Sequence, residues 1–190
     1  FHGYFQSYKF FENKKTDIFR LIKLSEWKEN LLNTIDFPDK ENTISLHFRL
    51  GDFKKLSHTH PIMPVRYYVN ALSYIVSKFP EIKFKVYYFC EEEDNEIVKE
   101  NYISNLHQKF PSLIFVKVDD TLDDWKQVVF MSCCKHNIIA NSTFSWFGAY
   151  FNTNVYNSII CYPNIWFAGE TAAKINTDDL FPKNWIEIDC

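Results

Sequence analysis

From residue 41 onward the apolar positions alternate between two rhythms. NTISLHF (42–48), FKVYYFC (84–90), SLIFVKV (112–118), HNIIA (136–140) and SIICYP (158–163) are short apolar, β-branched or aromatic runs that predict buried strands. Between them lie segments with helix-like spacing: PVRYYVNALSYIVSKF (64–79), EDNEIVKENYISNLHQKF (93–110), LDDWKQVVFMSCC (122–134) and TFSWFGAYF (143–151), with Pro64 near the first turn of the first. Strand and helix exchanging in this way predict βαβ units. The fold class expected is α/β, a Rossmann-like parallel sheet with helices on both faces.

Ahead of this alternation the pattern is different. FHGYFQSYKFFEN (1–13) is dense in aromatics and reads as helical or mixed, and TDIFRLIKLSEWKENLL (16–32) reads as one helix starting at Thr16 or Asp17. DFPDKEN (36–42) is a polar, proline-containing break and the best linker in the chain. The expected organisation is therefore a segment of residues 1–40 followed by one Rossmann-like domain over 41–190.

Composition narrows the function classes. Of 190 residues, 46% are hydrophobic and 18% aromatic, which argues for a packed core and against disorder. A formal net charge of -3 supplies no broad basic field, so nucleic acid is not expected as a partner. Neither a run of 18 apolar residues nor a signal-peptide pattern is present, so no membrane span is expected in this stretch. The compartment expected is the cytoplasm, or the Golgi lumen if an anchor precedes the stretch. Cys90, Cys133, Cys134, Cys161 and Cys190 form no CxxC pair and are expected as reduced thiols.

In open parallel sheets, ligands bind beyond the carboxyl ends of the strands. Two strand ends carry candidate chemistry here. The first is HFRLGDF (47–53), where Arg49 stands at the turn that ends a buried strand, with His47 two residues earlier on the same face. A guanidinium there can pair bidentately with phosphate oxygens, or it can form a structural ion pair with Asp52 or with Asp119 and Asp120. The second is NIIANSTFSWFGAYF (137–151), in which Asn141, Ser142, Thr143 and Ser145 open an aromatic helix. Unpaired N–H groups and hydroxyls at a helix start make a phosphate cradle, although the same residues also serve as ordinary N-caps. The sequon at 141–143 lies between a buried strand and a helix and is not expected to carry a glycan. Taken together, the two segments argue for a nucleotide diphosphate held without a metal, the arginine supplying the positive charge.

These segments resemble the α-1,2-fucosyltransferase family, glycosyltransferase family 11. Its H-x-R-R-G-D-Y hallmark stands here as His47-Phe48-Arg49-Leu50-Gly51-Asp52-Phe53, and its N-S-[ST]-F-S-W-W-G-A as residues 141–149, Asn141 to Ala149. GYFQSYKFF (3–11) and FPKNWIEI (181–188) are similar to its opening and closing segments. The resemblance implies the donor-binding half of a GT-B fold, with residues 1–40 as the tail of an acceptor domain whose remainder, on the order of 100 residues, lies upstream. It also implies inverting, metal-independent transfer of L-fucose from GDP-fucose to a glycan hydroxyl. The implied donor-binding set is His47, Arg49, Gln127, Asn141, Ser142, Thr143 and Ser145, and the partners are a nucleotide sugar and a glycan acceptor.

Two positions depart from the family pattern. Its second arginine is Leu50 here, which alternation turns away from Arg49. Its aspartate in the helix after the third strand is Gln127, which offers guanine one acceptor and adds a donor; Asp123 or Asp124, one turn earlier, is the expected substitute. The departures leave two alternatives, a transferase for another nucleotide sugar and a non-catalytic nucleotide-sugar-binding module. For the base that deprotonates the acceptor, FKKLSHTHPIMP (53–64) offers His60 and His58, and Asp52 is a further candidate whose expected role is to fix the Gly51 turn.

Overall fold

The computed structural model describes residues 7–35, 37, 40–153 and 158–190. Six parallel strands form one sheet in the order β3-β2-β1-β4-β5-β6. They are β1 (Thr43–His47), β2 (Lys85–Phe89), β3 (Ile114–Lys117), β4 (His136–Ile138), β5 (Ile160–Pro163) and β6 (Ile186–Ile188). Five were legible from their apolar runs. The sixth is three residues long, with Glu187 at its centre, and offers no run to read.

Both faces of the sheet are covered, because successive strand residues point opposite ways. Ile44 and Leu46 of β1 and Val86 of β2 point into one cluster with α3 (Val65–Lys78), where Tyr67, Tyr68, Leu72 and Ile75 are buried. Completing that layer are α4 (Asn95–Val98), a π turn (Lys99–Ile103) and α5 (Ser104–Lys109), one continuous helix with a widened middle. Tyr87 and Phe89 point the other way, against Val129, Phe130 and Met131 of α6 (Asp124–Cys133). Ile139 and Ile160 lie under Trp146 and Ala149 of α7 (Thr143–Tyr150).

The helix expected over residues 16–32 is two helices, α1 (Lys15–Leu21) and α2 (Leu24–Thr34), separated at Lys23, whose φ of 54° is left-handed. Neither glycine nor proline marks that break, so no residue type announces it. Leu24 and Leu31 of α2 are buried against the clusters under α7 and α6, and Lys28 donates to the carbonyls of Ser132 (3.2 Å) and Phe151 (2.8 Å). The segment before the linker therefore packs on the Rossmann-like unit. Residues 3–6 of the similar stretch at 3–11, and Asp36, Pro38 and Asp39 of the expected linker, lie outside the described residues. The five cysteines are free thiols, and no helix among the described residues is long and apolar enough to cross a membrane.

Candidate functional site

The strand order reverses between β1 and β4, and a doubly wound sheet opens a crevice at that point. β1 delivers Arg49 there. Its pairing with β2 continues one residue past the strand, Phe48 N donating to Phe89 O at 2.8 Å. Phe48 and Leu50 are buried in the α3 cluster, so Arg49 between them faces the other side, as alternation predicts.

Three groups fix the guanidinium. Nη2 donates to Asp52 Oδ1 at 2.6 Å, Nη1 pairs with Glu91, and Cζ lies 5.2 Å from the centre of the Phe53 ring. Arg49 keeps 27% of its side chain exposed. The turn that follows is held by a residue the sequence did not single out. Asp94, fully buried, accepts from Gly51 N at 2.8 Å and pairs with Lys54. Asp52, expected to fix this turn, instead turns its carboxylate to Arg49. Gly51 has φ +32°, and a Cβ there would stand 2.6 Å from a Glu91 carboxylate oxygen, so the close approach of loop and acid needs glycine.

His47, Arg49 and Gln127 line one cavity of about 340 Å³ with Phe89, Cys90, Glu91, Glu92, Asp120, Asp124 and Phe144. His47 is buried, its ring 5.5 Å from that of Phe144, and among the described residues its Nδ1 has no hydrogen-bond partner. Burial first, and then the Arg49 charge, push its pKa down to about 3, so the imidazole is neutral at ordinary pH. Gln127 commits its Nε2 to Leu122 O at 2.8 Å, which leaves Oε1 as the acceptor of that side chain. Asp124, one turn earlier, lines the same cavity, while Asp123 pairs with Lys126 at 2.8 Å.

The other sequence candidates lie elsewhere. Asn141 is buried and donates to Pro61 O (2.9 Å) and Trp166 O (3.1 Å), tying the loops after β1 and β5 together. Ser145 is buried and donates to Ser142 O at 3.3 Å. Ser142 caps α7 without a side-chain cap bond, and Thr143 is exposed on a small cleft with Trp146, Phe147, Trp166 and Leu180. From this whole segment only Phe144 lines the Arg49 cavity. His60 is stacked on Phe53 at 4.8 Å and faces a different cavity, and His58 is exposed.

The expected alternative partners of Arg49 are half right. Asp52 is one of them. Asp119 instead accepts from Thr121 N and Oγ1, and Asp120 is held by Lys117 and Asn95. The second partner is Glu91, and strand register could have found it: β1 pairs with β2 at His47↔Phe89, so two residues further on Arg49 is level with Glu91. Glu91, Glu93 and Asp94 bring ligand oxygens within 4.8 Å of one another. Arg49 and Lys54 already pair with two of the three, Glu91 and Asp94.

The arrangement can hold a polyanion on one arginine beside a neutral imidazole, with acceptor groups on α6 for a donor-bearing base. Comparison with known proteins decides the family: the profile of glycosyl transferase family 11 matches residues 1–189. The chain belongs to that family. It is 32% identical over 98% of its length to the O-antigen biosynthesis glycosyltransferase WbnK of Escherichia coli, covering 59% of that protein. Against an alpha-1,2-colitosyltransferase of Escherichia coli the identity is 28%, over 100% of the chain and 62% of the relative. The chain thus spans about three-fifths of the curated relatives it matches. Among solved structures, the ADP-heptose LPS heptosyltransferase II of Escherichia coli has a similar fold: TM-score 0.52 and 13% identity, over 86% of this chain and 43% of that one. In this family 11 chain the fold expected from the sequence is the fold observed, one Rossmann-like unit of the GT-B type.

Proposed function

We propose that this chain is the nucleotide-sugar-binding part of an inverting, metal-independent glycosyltransferase that moves L-fucose from GDP-fucose to a glycan hydroxyl. The observation that carries the reading is Arg49, a cation at the crevice where the strand order reverses, sharing a cavity with the buried, neutral His47. Family membership and the two relatives, one named for colitosyl transfer, support a glycosyl donor of this kind.

In this reading the acceptor oxygen bonds to the anomeric carbon while the bond from that carbon to the β-phosphate oxygen breaks. GDP leaves with the electron pair, and Arg49 stabilises the charge that develops on it. The acceptor's proton passes to a base, for which His60 is the first candidate and Asp52 the second. His47 Nδ1, without a partner among the described residues, is available to the nucleotide. Asp124 and the Oε1 of Gln127 supply two acceptors for the N1–H and 2-amino donors of guanine. Leu122 O takes one of the two N–H donors of Gln127 Nε2, which leaves Oε1 and the second N–H for the base. Asn141 and Ser145 act by holding loops and helix together, and Phe144 is the residue of that segment that reaches the Arg49 cavity. GDP-fucose and the glycan acceptor are then the two substrates, and the acceptor half lies in the part of the relatives that this chain does not span.

A second reading rests on one observation. The Arg49 charge is matched by Asp52 and Glu91 in a cavity rimmed by further acids, as it would be in a module that binds weakly and does not catalyse. Calorimetric titration of the chain with GDP, UDP and GDP-fucose, beside Arg49→Ala, tests both. Charge-assisted bonds of about 1.5–3 kcal/mol predict GDP binding about 10- to 100-fold weaker in the variant. Equal binding by both proteins would remove Arg49 from the site, and a preference for UDP would replace the donor. A longer chain that binds GDP-fucose but transfers no sugar would favour the binding module.

A further inference from the structure

A second and larger cavity, of about 720 Å³, opens on the far side of the His60 loop, between the N-terminal segment, α8 (Gly169–Lys174) and residues 175–180. Its chemistry differs from that of the Arg49 cavity. Phe10, 66% exposed, and Phe167 present aromatic surface, while Thr171, Asn176 and Asp178 present hydroxyl, amide and carboxylate groups. Among the described residues no lysine or arginine lines it, and the Asp179 carboxylate on its wall is already paired with Lys9. A phosphate would therefore meet the Asp178 carboxylate and a lysine whose charge Asp179 already matches. A neutral pyranose fits this chemistry, since its C–H face packs on aromatic rings and its hydroxyls donate to carboxylate oxygens.

The wall nearest the crevice is His60. Its ring stacks on Phe53 at 4.8 Å and 24° and lies 5.4 Å from Phe167, and the same Phe53 ring lies against the Arg49 guanidinium. One aromatic residue thus stands between the guanidinium and the histidine that faces the larger cavity. Among the described residues the His60 ring nitrogens have no hydrogen-bond partner, so one is open to a hydroxyl proton. The two sides of the cavity are also locked together. Ala168 N donates to Thr59 O at 2.9 Å, and Gly169, at φ +56°, approaches so closely that a Cβ would lie 2.7 Å from His58 O.

We propose that this cavity is the acceptor subsite on this half of the protein. A neutral hexopyranose lies against Phe10 and Phe167, is held through its hydroxyls by Asp178 and Thr171, and directs one hydroxyl at His60. The proposal rests on the glycosyltransferase reading for the identity of its ligand, while sugar binding at the cavity can be measured without it.

The test is nuclear magnetic resonance titration of the 190-residue chain with methyl β-galactoside, methyl β-glucoside, methyl N-acetyl-β-glucosaminide and lactose at millimolar concentrations, with GDP titrated separately. The expected result is saturable shifts at Phe167, Thr171 and Asn176 with at least one glycoside. Phe10→Ala and Asp178→Asn should each weaken that binding about five- to tenfold and leave GDP affinity unchanged. Phe10 and Asp178 are exposed, so both variants should keep the parent melting temperature, which is checked first. Glycoside binding here without GDP binding would keep the sugar site and sink the donor reading. The reverse pattern, GDP bound but no glycoside shifting this cavity, would overturn the proposal and leave the donor reading standing. Glycoside shifts confined to the surroundings of Arg49 would also overturn it.

Discussion

The ion pair between Arg49 and Glu91 makes a prediction whose sign is not obvious. A diphosphate that binds Arg49 has to compete with Glu91 for the same guanidinium edge. Both partners are partly exposed, 27% and 42% of their side chains, so solvent screening limits the pair to about 0.5–1 kcal/mol. Glu91→Gln removes the charge and keeps the shape, including the close packing against Gly51. That energy then goes to the ligand, and GDP should bind about two- to fivefold tighter. Loss of the repulsion between the carboxylate and the phosphates works in the same direction and is screened by salt. The assay is calorimetry with GDP at low and high ionic strength, parent beside variant. The gain should be largest at low salt and shrink as salt rises. If Glu91→Gln binds GDP more weakly at every salt concentration, Glu91 holds Arg49 in its binding position and competition is the wrong account. If the affinity does not change at all, the diphosphate does not reach this edge of Arg49.

Three further predictions concern the same corner and the buried histidines. Asp124→Asn should lower the preference for GDP over UDP, measured as a ratio of affinities, by about tenfold, one good acceptor being worth about 1.4 kcal/mol; an unchanged ratio removes Asp124 from base recognition. Stability should fall on mild acidification, because His47 and His136 have folded pKa values pushed down to about 3 and about 4. The unfolded chain then binds more protons than the folded one below about pH 6.5, so each histidine costs about 2 kcal/mol by pH 5. Urea unfolding at pH 7 and pH 5 measures this, His47→Gln should remove about half of the loss, and a flat profile would refute it. Asp119 and Asp120, whose pKa values are lowered, begin to add to the loss only below about pH 4. Gly51→Ala meets both a positive φ and the Glu91 carboxylate, and should cost about 1–2 kcal/mol, or roughly 2–6 °C in Tm. In a Glu91→Ala background the steric part should disappear; the same cost in both backgrounds would locate the whole effect in the backbone.

The elements that carry strong apolar rhythm were the ones legible in the sequence. β1 to β5 and α3 are buried on faces whose periodicity fixes their type, and alternation alone turned Leu50 into the core and Arg49 out of it. What periodicity cannot express was missed. The break at Lys23 depends on one left-handed residue of a type that rarely adopts that conformation, and β6 is too short to carry a period. The start of α7 read as a phosphate cradle because Asn, Ser and Thr are both good ligands and good caps. In the fold, Asn141 and Ser145 spend their side chains on carbonyls, a choice that depends on where Pro61, Trp166 and Ser142 fall in space.

The same limit explains the electrostatics of the crevice. A sequence places Arg49 and Glu91 forty-two positions apart, and only the β1–β2 register brings them level. Once that register is known, much of the corner follows. The residue after His47↔Phe89 on each strand points into the α3 side, and the next one faces the crevice, so the arginine must meet whatever β2 carries there. An acid at that position holds the guanidinium extended over Phe53 and lowers the positive potential that a diphosphate would find. Asp94, three residues on, reaches back to Gly51 and keeps the turn closed. The crevice therefore has a rigid arginine whose charge is partly spent, and its affinity for anions depends on Glu91 as much as on Arg49. Of the changes argued above, only Glu91→Gln separates these two contributions, because it leaves the arginine, the turn and the ring beneath the guanidinium in place.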